Sequence, residues 1–139
     1  EPFNPHICHC RMCQKAAGNY FMPLANVMKD DFQVSRGTIA WFASSDPVRR
    51  GFCRDCGTPL VFETRAAPHL NVTLGSLDDP AAVPPVEQSG IEAKMPWFAG
   101  LDLLPGEATE TDPGQPEGRV ALIRASNRQH PDHDTEAWP

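Results

Sequence analysis

The chain lacks any apolar run of about 18 residues, the length a membrane-crossing helix needs. Its first residues, Glu1-Pro2-Phe3-Asn4-Pro5, lack the basic start and apolar stretch of a secretory signal. Neither a membrane-spanning nor a visibly exported protein is expected. Basic residues are few as well, since 12 Lys and Arg stand against 18 Asp and Glu, for a net charge of −6. That balance argues against a long phosphate-tracking surface, so neither nucleic acid nor a membrane is an expected partner. There is no internal repeat and no even ladder of spaced half-cystines.

What is present fits one globular domain. The 139 residues are 40% hydrophobic and 22% charged, enough for a core of modest size. Proline, at 15 residues, has about twice its usual share, which disfavours long helices and suits short strands joined by turns. The expected class is mainly β. Phe21 to Val27 reads as a strand, and Pro23 within it points to a sheet edge. Phe32-Gln33-Val34 and Thr38 to Phe42 flank Ser35-Arg36-Gly37 as a hairpin. Gly51-Phe52 and Leu60 to Thr64 bracket Cys53 to Pro59 as a second hairpin with its tip at the cysteines, and Leu70 to Leu74 alternates as a half-buried strand. A single short helix is expected over Arg11 to Ala17, capped by Gly18. From Asp78 onward the texture turns to wrapping loops. Residues 1–104 are read as the folded domain and 105–139 as an acidic Pro/Gly-rich extension, in which Val120 to Ile123 is a candidate docked strand and Gln129 to Pro139 a fraying end.

The five cysteines form two clusters, Cys8/Cys10/Cys13 and Cys53/Cys56. Tight clusters without a secretory signal point to metal or redox chemistry in a reducing compartment, the cytoplasm by default, rather than to a disulfide framework. Cys53-Arg54-Asp55-Cys56-Gly57 is a zinc knuckle: one tight turn aims two sulfurs at one ion, and Gly57 accepts the positive φ of that turn. A structural zinc needs two more ligands. If two of the early cysteines supply them, one closed site forms. If Cys8, Cys10 and Cys13 stay together, they surround one face of an ion and leave its fourth position open for chemistry. A dithiol redox protein is disfavoured, because the Cys-x-x-Cys lies at a hairpin tip rather than at a helix start that would depress a thiol pKa.

Three segments carry a resemblance. Cys8-His9-Cys10-Arg11-Met12-Cys13-Gln14-Lys15 with Gly18, Arg50-Gly51-Phe52-Cys53 through Leu60, and Gly75-Ser76-Leu77-Asp78-Asp79-Pro80 with Pro96-Trp97 resemble, in order and spacing, the glutathione-dependent formaldehyde-activating enzyme family. Proteins named after centromere protein V share that domain. The resemblance implies a β-tent fold with two zinc ions. It implies that Cys8, Cys10 and Cys13 hold the catalytic ion, and that Cys53 and Cys56 hold the structural ion together with a Cys-x-Cys pair on a preceding N-terminal strand. That pair is not among these residues, so the structural site is expected to be incomplete or completed otherwise. The implied activity is that of a carbon–sulfur lyase joining glutathione, or a similar small thiol, to formaldehyde. The alternative is a zinc-stabilised module that holds a thiol or a protein without catalysis.

Three thiolates around a divalent ion leave a charge of about −1, a setting poor for making hydroxide but suited to deprotonating a fourth, exogenous thiol. Arg11, Lys15, Arg49, Arg50 and Arg54 lie close to the cysteines in sequence, where they can offset that charge or grip ligand carboxylates, and Arg50 is the strongest of them. Trp97, beside Pro96, is the aromatic expected to wall a ligand pocket, while Trp41, Phe42, Phe62 and Phe98 are expected mainly in the core. His9 is read as supporting the ligands through a hydrogen bond. Asp78 and Asp79 read as turn residues, and His69, His130 and His133 as surface residues.

Overall fold

The computed structural model describes residues 1–111, 114 and 116–136. It divides into two compact units, Glu1–Met95 and Pro96–Pro139. The first unit is built on one seven-stranded sheet in the order β3-β4-β5-β6-β2-β1-β7. The strands are β1 (Phe3–Cys8), β2 (Met22–Met28), β3 (Ile39–Ala43), β4 (Val48–Cys53), β5 (Pro59–Thr64), β6 (His69–Thr73) and β7 (Glu87–Ser89). Neighbours pair antiparallel except β1 and β7, which run parallel. The mainly β class holds, and α1 occupies Arg11–Ala17 with Gly18 as its left-handed cap at φ 60°.

Side chains alternate across a strand, so register assigns each residue a face. Met22 and Leu24 of β2, Phe62 of β5 and Arg50 of β4 share one face, because Leu24 pairs with Thr73, Asn71 with Phe62, and Phe62 with Arg50. Upon this face lies α1, whose Cys13, Ala16 and Ala17 recur at helical spacing and pack with Met22, Leu24 and Phe62. Val27, Val61 and Leu70 occupy the opposite face with Phe32, Ile39, Leu60 and Val72 around them. Both faces of β2 are therefore covered, which is why its sequence reads as an almost unbroken apolar run.

Three expectations are corrected. The strand at Met22–Met28 is interior, between β6 and β1, rather than at an edge. Pro23 is tolerated because pairing with β6 begins only at Leu24, so the proline sits where one flank of the strand is not laddered. Phe32 to Val34 is not a strand: a 3-10 turn at Lys29–Asp31 ends there, Phe32 packs into the core, and β3 pairs with β4 instead. In the second unit, Val120 to Ile123 belongs to the helix α2 (Arg119–Ala125), with Leu122 and Ile123 exposed. A four-residue apolar run cannot by itself distinguish strand from helix. The fraying expected for Gln129 to Pro139 falls partly outside the described residues. Among those described, no helix is long and apolar enough to cross a membrane.

Adjacent arginines on β4 part company. Arg49 faces the side opposite Arg50, hydrogen-bonds the Glu63 carboxylate across the β4–β5 pair, and lies 4.0 Å over the Trp41 ring. Lys29 Nζ adds a second contact to Glu63 at 2.9 Å. Trp41 is therefore a lid on an ion pair rather than a core residue, and Gly51 leaves the room, since a Cβ there would meet Ile39 at 2.7 Å and Trp41 at 3.1 Å. Burial pushes the Glu63 carboxyl up, but Arg49 and Lys29 outweigh it and hold the group below its ordinary value. A depressed carboxyl stabilises the fold above its unfolded pKa and loses that contribution as pH falls through the folded value. Glu63→Gln is expected to cost about 1–2 kcal/mol at pH 7 and progressively less below about pH 4.5. Urea unfolding of both proteins across pH checks this; a cost that stays constant with pH contradicts it.

Candidate metal centre

Cys8 closes β1, Cys10 is the N-cap of α1, and Cys13 lies in its first turn. The chain turns sharply between strand and helix, so three residues close in sequence bring their sulfurs to one point. All three Sγ atoms lie within 4.8 Å of one another. Ideal tetrahedral thiolate ligands at about 2.3 Å from zinc stand about 3.8 Å apart, so a small contraction suffices for this donor set to hold the ion. Among the described residues, no other group of three or more His, Cys, Asp or Glu gathers in this way. Cys53 and Cys56 are not part of this group. All five cysteines are free thiols.

The local hydrogen bonds hold the trio ready. Cys13 N–H donates to Cys10 Sγ at 3.4 Å. The Cys13 thiol bonds to Cys8, and this is the main reason the Cys8 thiol is pulled down to about 4. Burial opposes it, and the Cys10 backbone and Ser89 hydroxyl assist. The same bond to Cys8, with burial, pushes the Cys13 thiol up against the pull of Arg50. The two thiols titrate as a coupled pair, and metal loading displaces the protons they hold.

Arg50, only 8% exposed, reaches the cluster from the sheet. Its Nη2 stands 3.5 Å from Cys13 Sγ, its Nη1 3.7 Å from Met22 Sδ, and its guanidinium lies 4.9 Å over the Phe62 ring. Of the other basic residues, Arg49 is committed to Glu63, Arg11 donates to Gln14 Oε1 at 2.6 Å, and Lys15 and Arg54 are exposed. Cys53 and Cys56 sit at the β4–β5 tip. Cys53 N–H bonds Thr58 O, Gly57 N–H bonds Cys53 O, and Gly57 takes φ 77°. The Thr58 hydroxyl, 3.1 Å from Cys56 Sγ, is the main cause that lowers the Cys56 thiol. These two sulfurs gather no third donor among the described residues, so by themselves they do not complete a tetrahedral structural site. Trp97 belongs to the second unit, where it precedes a 3-10 helix at Phe98–Leu103 and is 46% exposed. Asp78 and Asp79 are exposed turn residues, His69 is half-buried edge-on to Phe3, and His130 is exposed.

Three supporting residues hold the turn, and of these Gly90 alone carried no signal in the sequence reading. Gln14, 2% exposed, donates from Nε2 to His9 O at 2.7 Å and to Ala93 O at 2.9 Å, tying the cysteine turn to the segment after β7. His9, fully buried, is no member of the sulfur cluster and bonds Gln88 Oε1 through Nε2 at 3.0 Å. Gly90, with φ 62°, follows β7 and lies against Cys10, where a Cβ would meet Cys10 N at 2.6 Å. A Gln-Ser-Gly triplet has no signal of its own; only the parallel β1–β7 pairing gives it meaning.

Gly90→Ala is expected to lose about 1–3 kcal/mol, from the left-handed strain and the backbone clash, and to weaken zinc binding at the trio at least about tenfold. Thermal unfolding with competitive zinc titration checks both effects; wild-type values for both contradict the close approach.

Comparison with curated proteins finds no match. Residues 1–92 match the family described as glutathione-dependent formaldehyde-activating enzyme, which is 92 of 139 residues. With the sulfur trio at the junction of β1 and α1 inside the matched segment, the chain belongs to the glutathione-dependent formaldehyde-activating enzyme family.

Proposed function

We propose that the protein is a zinc-dependent carbon–sulfur lyase that adds a small thiol such as glutathione to formaldehyde, or releases it, in a reducing compartment such as the cytoplasm. The observation that carries this reading is the convergence of Cys8, Cys10 and Cys13 within 4.8 Å, with no fourth His, Cys, Asp or Glu in the group among the described residues. A zinc ion, when bound there, supplies the positive centre at which an incoming thiol gives up its proton. The chain's own residues do the rest. The three cysteines would hold the ion, and Arg50 stands against Cys13 to balance a donor set that would otherwise carry excess negative charge. Cys53 and Cys56 are assigned to a second, structural ion whose other donors lie outside the knuckle. Residues 1–104 carry the activity, and 105–139 form an acidic extension.

The net reaction is balanced by simple addition. A new carbon–sulfur bond forms between thiol sulfur and the aldehyde carbon, the carbonyl π pair moves to oxygen, and the thiol proton ends on that oxygen. The reverse step cleaves the same bond. A module that holds a thiol without turning it over carries the same cysteines, and the turnover measurement below distinguishes the two.

Cys10→Ala is expected to abolish zinc retention at the trio and thiol binding, with a stability loss below about 2 kcal/mol, because Cys10 is a half-buried helix cap that packs only at the margin of the core. Formaldehyde consumption with glutathione should fall to the uncatalysed rate. Cys53→Ala should cost more stability than Cys10→Ala if the knuckle binds its own ion. Zinc content, melting temperature and glutathione calorimetry on both variants test this. Undiminished glutathione binding in Cys10→Ala contradicts the reading, and wild-type turnover at the uncatalysed rate favours the binding module.

A further inference from the structure

Among the described residues, Arg50 is a buried cation without an oxygen partner. Its hydrogen bonds go to two sulfurs, the Cys13 thiol and the Met22 thioether, both weak acceptors. Among the described residues no carboxylate pairs with it. Glu63, the acid on the neighbouring strand, faces the other side of the sheet and is taken by Arg49 and Lys29. A guanidinium carries more N–H donors than these two contacts use, so part of the fork stays available to a further acceptor.

Those donors have somewhere to go, since Arg50 lines a cavity of about 210 Å³ within the first unit. Most of its wall is apolar, formed by Met22, Phe42, Phe52, Pro59 and Val61. The one polar side chain besides Arg50 is Thr73, and its hydroxyl is committed to Pro59 O at 2.6 Å and to Ser76 at 2.9 Å. Among the described residues, no acid and no second cation line the space. Phe42, 62% exposed and paired in register with Arg50, stands at its border, a position that core packing does not require.

We infer that this cavity is a subsite for a monoanionic carboxylate on a short apolar arm, bound through the Arg50 fork beside the sulfur trio. A single cation matches a single negative charge, and the planar fork suits the two oxygens of a carboxylate. The volume lies below that of sites that enclose drug-sized ligands, so the space takes one end of a substrate and not a whole tripeptide. The inference rests on the thiol reading above for its role: the arm belongs either to the thiol itself or to a separate acid that joins it. It narrows the substrate class to thiols or electrophiles that bear a carboxylate a few carbons from the reacting atom.

Calorimetry on the zinc-loaded full chain tests it with three probes: 3-mercaptopropionate, its neutral amide 3-mercaptopropionamide, and propionate alone. The acid thiol is expected to bind at least about tenfold tighter than the amide, and Arg50→Lys, which keeps the charge but loses the planar fork, is expected to reduce that ratio. If propionate alone also binds in an Arg50-dependent way, a separate acid can fill the subsite; if only the thiol acid shows the preference, the arm is the thiol's. Equal affinity for acid and amide in the wild-type protein overturns the subsite while leaving the thiol reading intact. Arg50-dependent binding of propionate with no binding of either thiol overturns the thiol reading and leaves the subsite. The comparison of acid and amide in the wild-type protein holds even if Arg50→Lys fails to fold.

Discussion

The structure depends on one contact, the approach of the Arg50 guanidinium to the Cys13 sulfur. Three thiols crowded together repel one another as they ionise, and that repulsion limits how tightly any ion can be held in partial burial. A cation fixed from the sheet offsets it. Arg50 can reach the cluster only because β4, β5, β6 and β2 are in a register that puts it on the same face as Met22 and Phe62, the face that α1 covers. A slip of one residue in β4 would send Arg50 to the far side and bring Arg49 in. The seven-stranded sheet is thus the ruler that sets the charge of the site.

The same dependence explains why the cysteine turn is clamped from several directions. Gln14 bonds across it, Ser89 and Gly90 close against Cys8 and Cys10, and His9 anchors to Gln88. All but Gln14 rely on β7, a strand of three residues that pairs with β1 alone. So short a strand adds little to global stability, and its value lies in holding the sulfurs. The opposite face is organised separately, around Glu63 between two cations, so changes there act on stability more than on the site.

Much of the site was legible because it is local. Cys8, Cys10 and Cys13 lie within six residues, Arg11–Ala17 shows its helix by composition and its end by Gly18, and the knuckle announces its turn through Gly57. What was not legible is what depends on pairing between distant segments. Pro23 looked like an edge marker because its tolerance comes from where β6 stops, and Phe32 looked like a strand residue because an aromatic can enter the core from a turn as well. β1 and β7 went unseen, since neither Phe3–Cys8, rich in polar and proline positions, nor Glu87–Ser89 carries an alternating apolar pattern. Val120 to Ile123 misled because four apolar residues are less than one full helical period plus its repeat. Phe42 was assigned to the core by residue type, although its place at the Arg50 cavity is fixed by the β3–β4 register.

The central claim is that the trio holds an ion with one position open to an outside thiol. Cadmium-113 NMR of the cadmium-loaded protein tests it most directly, because each site gives its own resonance and the shift reports the number of bound sulfurs. The account predicts one resonance that moves toward the four-sulfur range when glutathione is added and that is missing in Cys10→Ala. A spectrum in which no resonance responds to glutathione, or in which the responding one survives loss of Cys10, contradicts it.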